Sequence, residues 1–231
     1  HFKGFDTFQN TYYELGAKPF VESLNNNFNV KYMPSHIAQT EFPSTLSDLK
    51  KYDCVILSDC GANTLLLHPN VFLKGKIFPN RLKLIEEYVH DGGSFVMFGG
   101  YLSFQGINGT ARYKNTPIER ILPISILPYD DRVEAPEGCI PNVTNDHLIL
   151  NGIEGSWPAL LGLNEVEIKE DNKIETILSG SIDGKDYPLL VISEQFSGKT
   201  AVWTSDVGPH WLPNEFVQWN GYKLLWYNLF K

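Results

Sequence analysis

Short, nearly continuous apolar runs alternate along this chain with segments whose apolar residues recur at helical spacing, the pattern of an α/β sheet protein. Residues 11–26 predict a first helix, with Leu15, Phe20, Val21 and Leu24 on one side and Pro19 as an interruption. Asn25-Asn26-Asn27 stops it, and residues 30–33 predict a short strand. Another helical turn begins within residues 42–46, with Ser44 or Thr45 as its side-chain cap. The clearest buried strand is Asp53-Cys54-Val55-Ile56-Leu57-Ser58, ending in the polar bend Asp59-Cys60-Gly61-Ala62-Asn63. In residues 81–90, Leu82, Ile85, Tyr88 and Val89 fall at helical spacing, and Asp91-Gly92-Gly93 ends that helix. Phe95-Val96-Met97-Phe98 is the next buried strand and runs into Gly99-Gly100-Tyr101-Leu102-Ser103-Phe104-Gln105-Gly106. Strand, helix, strand in one parallel sheet is the expected start.

The middle changes character. Residues 116–157 hold several prolines, the acidic group Asp130, Asp131 and Glu134, and only short apolar runs. They retain Ile, Leu and Val throughout, so they read as an irregular insertion from the sheet and not as a linker. Strands are then expected at 166–168, 174–178 and 189–194, with hairpin turns at Asp183-Gly184 and Ser197-Gly198. Residues 200–205 form a further strand, and residues 215–230 a terminal helix rich in Trp, Tyr and Leu. The expected class is α/β, a mostly parallel sheet flanked by helices, in one domain over residues 1–231.

Charge narrows the partners. Nineteen Lys and Arg against 27 Asp and Glu give a net charge of −8, with no basic run, so nucleic acid is not expected as a partner. No stretch approaches the roughly 20 apolar residues of a membrane span, and the first residues lack the features of a secretory signal. Three cysteines, Cys54, Cys60 and Cys139, form neither a disulfide framework nor a zinc motif, which fits a reduced, cytoplasmic protein. His36, His68 and His147 stand apart from any second ligand at zinc spacing, so no metal or cofactor is expected.

Ligands of open α/β sheets collect where strands end and helices begin. Three such edges occur here, at Asp59-Cys60-Gly61, at Gly99 to Ser103, and at Ser205-Asp206-Val207-Gly208-Pro209-His210-Trp211. They predict one shared cleft for a small molecule. The second edge has the layout of a nucleophile elbow, a buried strand and then a tight turn with small neighbours. Within it, Tyr101 is either a reactive-crest group or a cleft-wall aromatic bonded to a carbonyl. His210 is either a proton carrier or a packed histidine. Asp59 and Asp206 sit at two strand ends, where they bind a cation or polyol, or each closes a local turn. Gly61, Gly100, Ser103 and Trp211 complete the candidate binding groups. Cys60 is either an alternative nucleophile or a buried thiol. The Asp130, Asp131, Arg132, Glu134 group is either a metal or substrate loop or an internally paired surface loop.

The segment Phe98-Gly99-Gly100-Tyr101-Leu102-Ser103-Phe104-Gln105 resembles the Leu-Gly-Ile-Cys-Leu-Gly-His-Gln segment of class I glutamine amidotransferases, matching at Gly99, Leu102 and Gln105. Lys3-Gly4-Phe5-Asp6, Leu57 to Leu67, Gly99 to Gly106, Tyr129 to Glu134 and Ser205 to Trp211 together resemble an uncharacterised, cytoplasmic branch of that superfamily. The stretch from His147 to Ile153 is similar to one in trehalose-utilisation-like relatives, with Leu148 in place of a proline.

The resemblance implies a flavodoxin-like sheet. It also implies a strand ahead of Lys3-Gly4-Phe5-Asp6, so one sheet strand is expected to lie outside the given sequence, which begins at His1. Where these enzymes carry a nucleophilic Cys, a His base and a Glu that orients it, this chain places Tyr101, His210 and Glu215. A phenol with an ordinary pKa near 10 is a poor acyl carrier beside a thiolate, so ordinary glutaminase activity is not expected. Three functions remain open: an enzyme with a modified site, a silent small-molecule-binding domain, or a structural subunit. Trp203, Trp211, Trp219 and Trp226 crowd the C-terminus, and the chain is expected to form a homo-oligomer through them if the terminal helix exposes its rings.

Overall fold

A computed structural model describes residues 16–231. Ten strands are assigned there: β1 Cys54–Ser58, β2 Ser94–Phe98, β3 Ile124–Ile126, β4 Arg132–Cys139, β5 Pro141–Val143, β6 Leu160–Asn164, β7 Val166–Ile168, β8 Ile174–Ile182, β9 Lys185–Ser193 and β10 Thr200–Trp203. Six of them form the main sheet in the order β1-β2-β10-β9-β8-β5. The chain is mixed α/β with an open sheet and flanking helices.

The expectation of a mostly parallel sheet is corrected. β2 pairs in parallel with β1 and with β10, but β9, β8 and β5 add antiparallel. The cause is local. Asp183 and Gly184 both take positive φ, +51° and +78°, the two-residue turn that folds β8 directly back on β9. A second short turn returns β9 beside β10, where a helical crossover would have kept the strands parallel.

Period-two alternation distributes the core over both faces of the sheet. Val96, Phe98, Ala201 and Trp203 join a cluster with Phe20, Leu24, Phe216 and Trp226. Phe95, Met97 and Val202 face the other way, onto Leu82, Ile85 and Val89 of the helix Arg81–His90. Arg81 is fully buried with no carboxylate partner among the described residues. It donates instead to the carbonyls of Leu65, Ala38 and Thr64 at 2.7, 3.1 and 3.0 Å, tying three segments to one helix start.

Other expectations are refined. The helix foreseen over residues 11–26 is described from Lys18 to Leu24, with Pro19 in its first turn; Leu15 lies outside the described residues. Thr45, not Ser44, caps Leu46–Leu49 by accepting from Asp48 N–H. Residues 30–33 pair with no described strand, and a cleft of about 1150 Å³ lies between β1 and the 28–36 segment. The terminal helix is two helices, Asn214–Gln218 and Asn220–Phe230, broken at Trp219 (ψ 137°), whose ring packs on Trp157 and Phe216. Trp203, Trp211 and Trp226 are buried, so these three rings serve the core.

The 116–157 stretch is more regular than its composition suggests. β4 pairs with β6, β3 with β7, and β5 joins the edge of the main sheet. Lys169 Nζ donates to the carbonyls of Glu119 and Leu122 at 2.6 and 2.7 Å, fastening the helix Pro117–Ile121 to β7's end. Among the described residues no helix is long and apolar enough to cross a membrane.

Candidate functional site

β1, β2 and β10 lie side by side and parallel, so their carboxyl ends open on one rim. Two glycines after β2 let the rim close up. A Cβ on Gly99 would lie 2.1 Å from the Thr204 carbonyl oxygen, so only glycine fits where β2 leaves the sheet. Gly100 has φ +133°, and a Cβ there would lie 2.8 Å from Asp206 Oδ1 and 3.0 Å from Asp59 Oδ1. The two strand-end carboxylates therefore crowd one backbone position. Asp59 Oδ1 accepts from Leu102 N–H at 2.7 Å, and Ser103 Oγ accepts from Asp59 N–H at 3.1 Å. Ser103 is fully buried and holds the bend together. Gly61 precedes the helix Ala62–Leu66 and packs against Ala111, away from these groups.

Tyr101 stands on this crest, packed among His210, Trp211 and Arg132. Its ring is edge-on to His210 at 4.4 Å between centroids and 5.5 Å from Trp211, and the Arg132 guanidinium lies 4.6 Å over its face. Its hydroxyl donates to Glu134 Oε1 at 2.8 Å. Burial, and then the hydrogen bond to the Glu134 carboxylate, push the phenol pKa up to about 12. Trp211 Nε1–H donates to the other Glu134 oxygen at 2.9 Å, and the indole is buried.

Asp206 orients the histidine. Its Oδ2 lies 3.0 Å from His210 Nδ1 and accepts from Trp211 N–H at 3.1 Å. Glu215, the orienter suggested by resemblance, is exposed in the first turn of Asn214–Gln218, and no contact of it with His210 is found. Burial disfavours the His210 cation, but the Asp206 hydrogen bond and the charges of Asp206, Glu134 and Asp59 outweigh it, so its pKa rises. Burial, reinforced by Asp59, also raises Asp206. The pair thus holds a proton more firmly than either group would in water. His210 has φ +149°, a strained backbone that the flanking residues fix.

Five residues from β4, its approach and β6 complete the site. In β4, Arg132 and Glu134 share a face by alternation and reach Tyr101, while Asp130 pairs with Arg132 at 2.8 Å. Asp131 is buried and accepts from the N–H groups of Gln105 and Gly106 at 2.8 and 2.9 Å and from Asn164 Nδ2 at 2.8 Å. Asn164 Oδ1 in turn accepts from Gly100 N–H at 2.9 Å. The 130–134 segment is therefore a support of the site and part of its wall. Its signal in the sequence was the run of charges itself; Asn164 offered none. Cys60 is buried, and desolvation raises its pKa, so it is an inert thiol. Among the described residues no group of three or more His, Cys, Asp or Glu side chains is placed to hold a metal ion.

A family described as "Putative glutamine amidotransferase" matches residues 1–231. The chain belongs to this glutamine amidotransferase-like family. Two solved structures from Salmonella typhimurium, each described as a cytoplasmic protein, resemble this family member over its length. One is 41% identical with a TM-score of 0.88, covering 99% of this chain and 91% of its own. The other, from strain LT2, is 42% identical with the same TM-score and coverages. A ThuA-like protein from Bacteroides uniformis shares the fold at 15% identity and a TM-score of 0.56, covering 95% and 86% of the two chains. No curated protein matches the chain.

Proposed function

We propose that this family member keeps the amidotransferase cleft without the glutaminase reaction, and that His210 exchanges a proton with a small polar molecule bound there. The observation that carries this reading is Tyr101, a phenol at the crest where the family resemblance puts the nucleophilic sulfur. With its pKa pushed to about 12 it stays protonated at neutral pH, a hydrogen-bond donor and not an acyl acceptor. His210 has Nδ1 engaged by Asp206, which leaves Nε2 as the nitrogen that gives or takes the proton. Asp59 and Asp206 supply acceptors for a polyhydroxylated or similarly polar ligand, with the buried Trp211 behind the Tyr101 ring. Three free thiols and the descriptions of the two Salmonella relatives support a cytoplasmic location.

The test is incubation with glutamine, reading ammonia and glutamate, for the wild type and His210→Ala. Equal, background release is expected from both; release that needs His210 would refute the reading. A second reading, binding without turnover, draws on Glu134, both of whose oxygens are already occupied by Tyr101 and Trp211. A compound that raises the Tm of both proteins equally and is recovered unchanged would select it.

A further inference from the structure

Among the described residues, two groups of exposed apolar side chains lie far from the Tyr101–His210 site. The first is the loop that follows the helix Pro69–Phe72, in the connection between β1 and β2. Six consecutive residues, 72–77, are exposed; Leu73 is 74% exposed and Ile77 completely so. The loop is shaped and not slack: Gly75 N–H donates to Val71 O at 3.1 Å and Lys76 N–H to Asn70 O at 2.8 Å. The second patch is the edge strand β5 with its flanks, where Ile140, Val143 and Leu148 are all more than half exposed. A monomer rarely leaves such groups bare without use.

Their charges are opposite. Between Cys60 and Ile85 the sequence has no Asp or Glu, and Lys74 and Lys76 flank the apolar side chains of the loop. Between Val133 and Ile168 it has no Lys or Arg, and Glu137 and Asp146 flank the edge patch. All four of these charged residues are exposed, and none is in an ion pair with another described residue. The two patches belong to opposite ends of the six-strand order, so one copy cannot bring them together.

We infer that copies of this chain associate head to tail, the 72–77 loop of one copy seating on the β5 edge of the next. The occupant of each patch is a second copy, because apolar area and charge complement each other between the two. Contact of two different surfaces closes into a ring or extends as a filament.

Sedimentation velocity tests this across protein concentration and salt. The wild type should exceed the monomer mass at low salt and dissociate as salt rises, since the flanking charges are surface-exposed. Lys74→Glu with Lys76→Glu, and separately Glu137→Lys with Asp146→Lys, should each give monomers. Mixing the two variants should restore assembly, because each keeps the surface the other has lost and the two reversed surfaces are again of opposite charge. Wild type that stays monomeric throughout would overturn the inference. So would assembly indifferent to both reversals, which would point to another surface. Monomeric wild type that sediments with phosphatidylserine vesicles would give the loop to a membrane instead.

Discussion

Tyr101 and Glu134 are joined by a 2.8 Å hydrogen bond that runs from the bend after β2 to strand β4. The bond fixes what each can do. Glu134, shared with Trp211, has both oxygens occupied, and the phenol it accepts from is driven further from ionising. The ring is held beside His210 while its hydroxyl is committed to Glu134.

The first expectation concerns that position. Tyr101→Cys puts a thiol at the crest, within reach of a histidine whose pKa is raised. An adjacent imidazolium lowers a thiol pKa. The native thiols are poor competitors, since burial pushes Cys54 up to about 12 and raises Cys60 and Cys139. Iodoacetamide labelling at neutral pH, followed by intact mass, should therefore show one fast-reacting site in the variant and none in the wild type. Equal labelling of the two proteins would show that His210 does not act on the crest.

Asp206→Asn should lower the pKa of His210. The amide still meets the ring but carries no charge, so the burial that disfavours the cation is left less opposed. Imidazole NMR titration should place the wild-type ring above the ordinary value of about 6.5 and the variant below the wild type. The sign for stability follows. A histidine with a raised folded pKa contributes stability that is complete below the unfolded value and is lost as pH rises through the folded one. That contribution should be smaller in the variant.

Much of this site was legible along the chain, for identifiable reasons. Phe95 to Phe98 is buried on both faces and Cys54 to Ser58 on one, with the other half-buried, so their apolar runs are nearly unbroken. The bends after them carry glycines because backbones meet there. Asp59, Gly100 and Asp206 could be placed together because each ends a strand. Arg132, Glu134 and Asn164 could not, since the β4–β6 ladder brings them to Tyr101 from 30 or more residues away. The mixed sheet was half visible: both hairpin turns can be read, but the neighbour that each returning strand chooses is a tertiary matter. Trp219 broke a helix whose spacing runs on past it, because packing on Trp157 outweighs local preference.

Asp131 should be the costliest polar residue to change. Every partner it has is an N–H donor, from Gln105, Gly106 and Asn164. In Asp131→Asn, an amide NH₂ must turn toward one of them and leave two donors facing each other. A loss of about 2–3 kcal/mol is expected in urea unfolding at neutral pH. Burial nevertheless pushes the Asp131 pKa up to about 6, above its ordinary 3.8. Stability from this group is then full below the unfolded value and falls as pH rises through about 6, by ~3 kcal/mol at most. Asn does not titrate, so the wild-type advantage should be larger at low pH than at high pH. An advantage independent of pH would mean that Asp131 is ionised throughout.

Gly99→Ala tests the close approach on which the crest depends. The added methyl would meet the Thr204 carbonyl oxygen at 2.1 Å, and that contact is backbone, which cannot swing aside as a flexible side chain would. Relief requires β2 and the segment after β10 to separate, although Gly99 N–H donates to Trp203 O at 2.7 Å across the same gap. Overpacking of this kind costs typically 1–3 kcal/mol and more where backbone must move, so a loss above about 3 kcal/mol is expected. Gly100→Ala combines a positive φ with carboxylates at 2.8 and 3.0 Å, whose side chains can yield, and should cost less than Gly99→Ala while shifting Asp59 and Asp206. Thermal or urea unfolding of the two variants gives the order directly. The reverse order would place the tightest contact of the rim at the carboxylates and not at the backbone crossing.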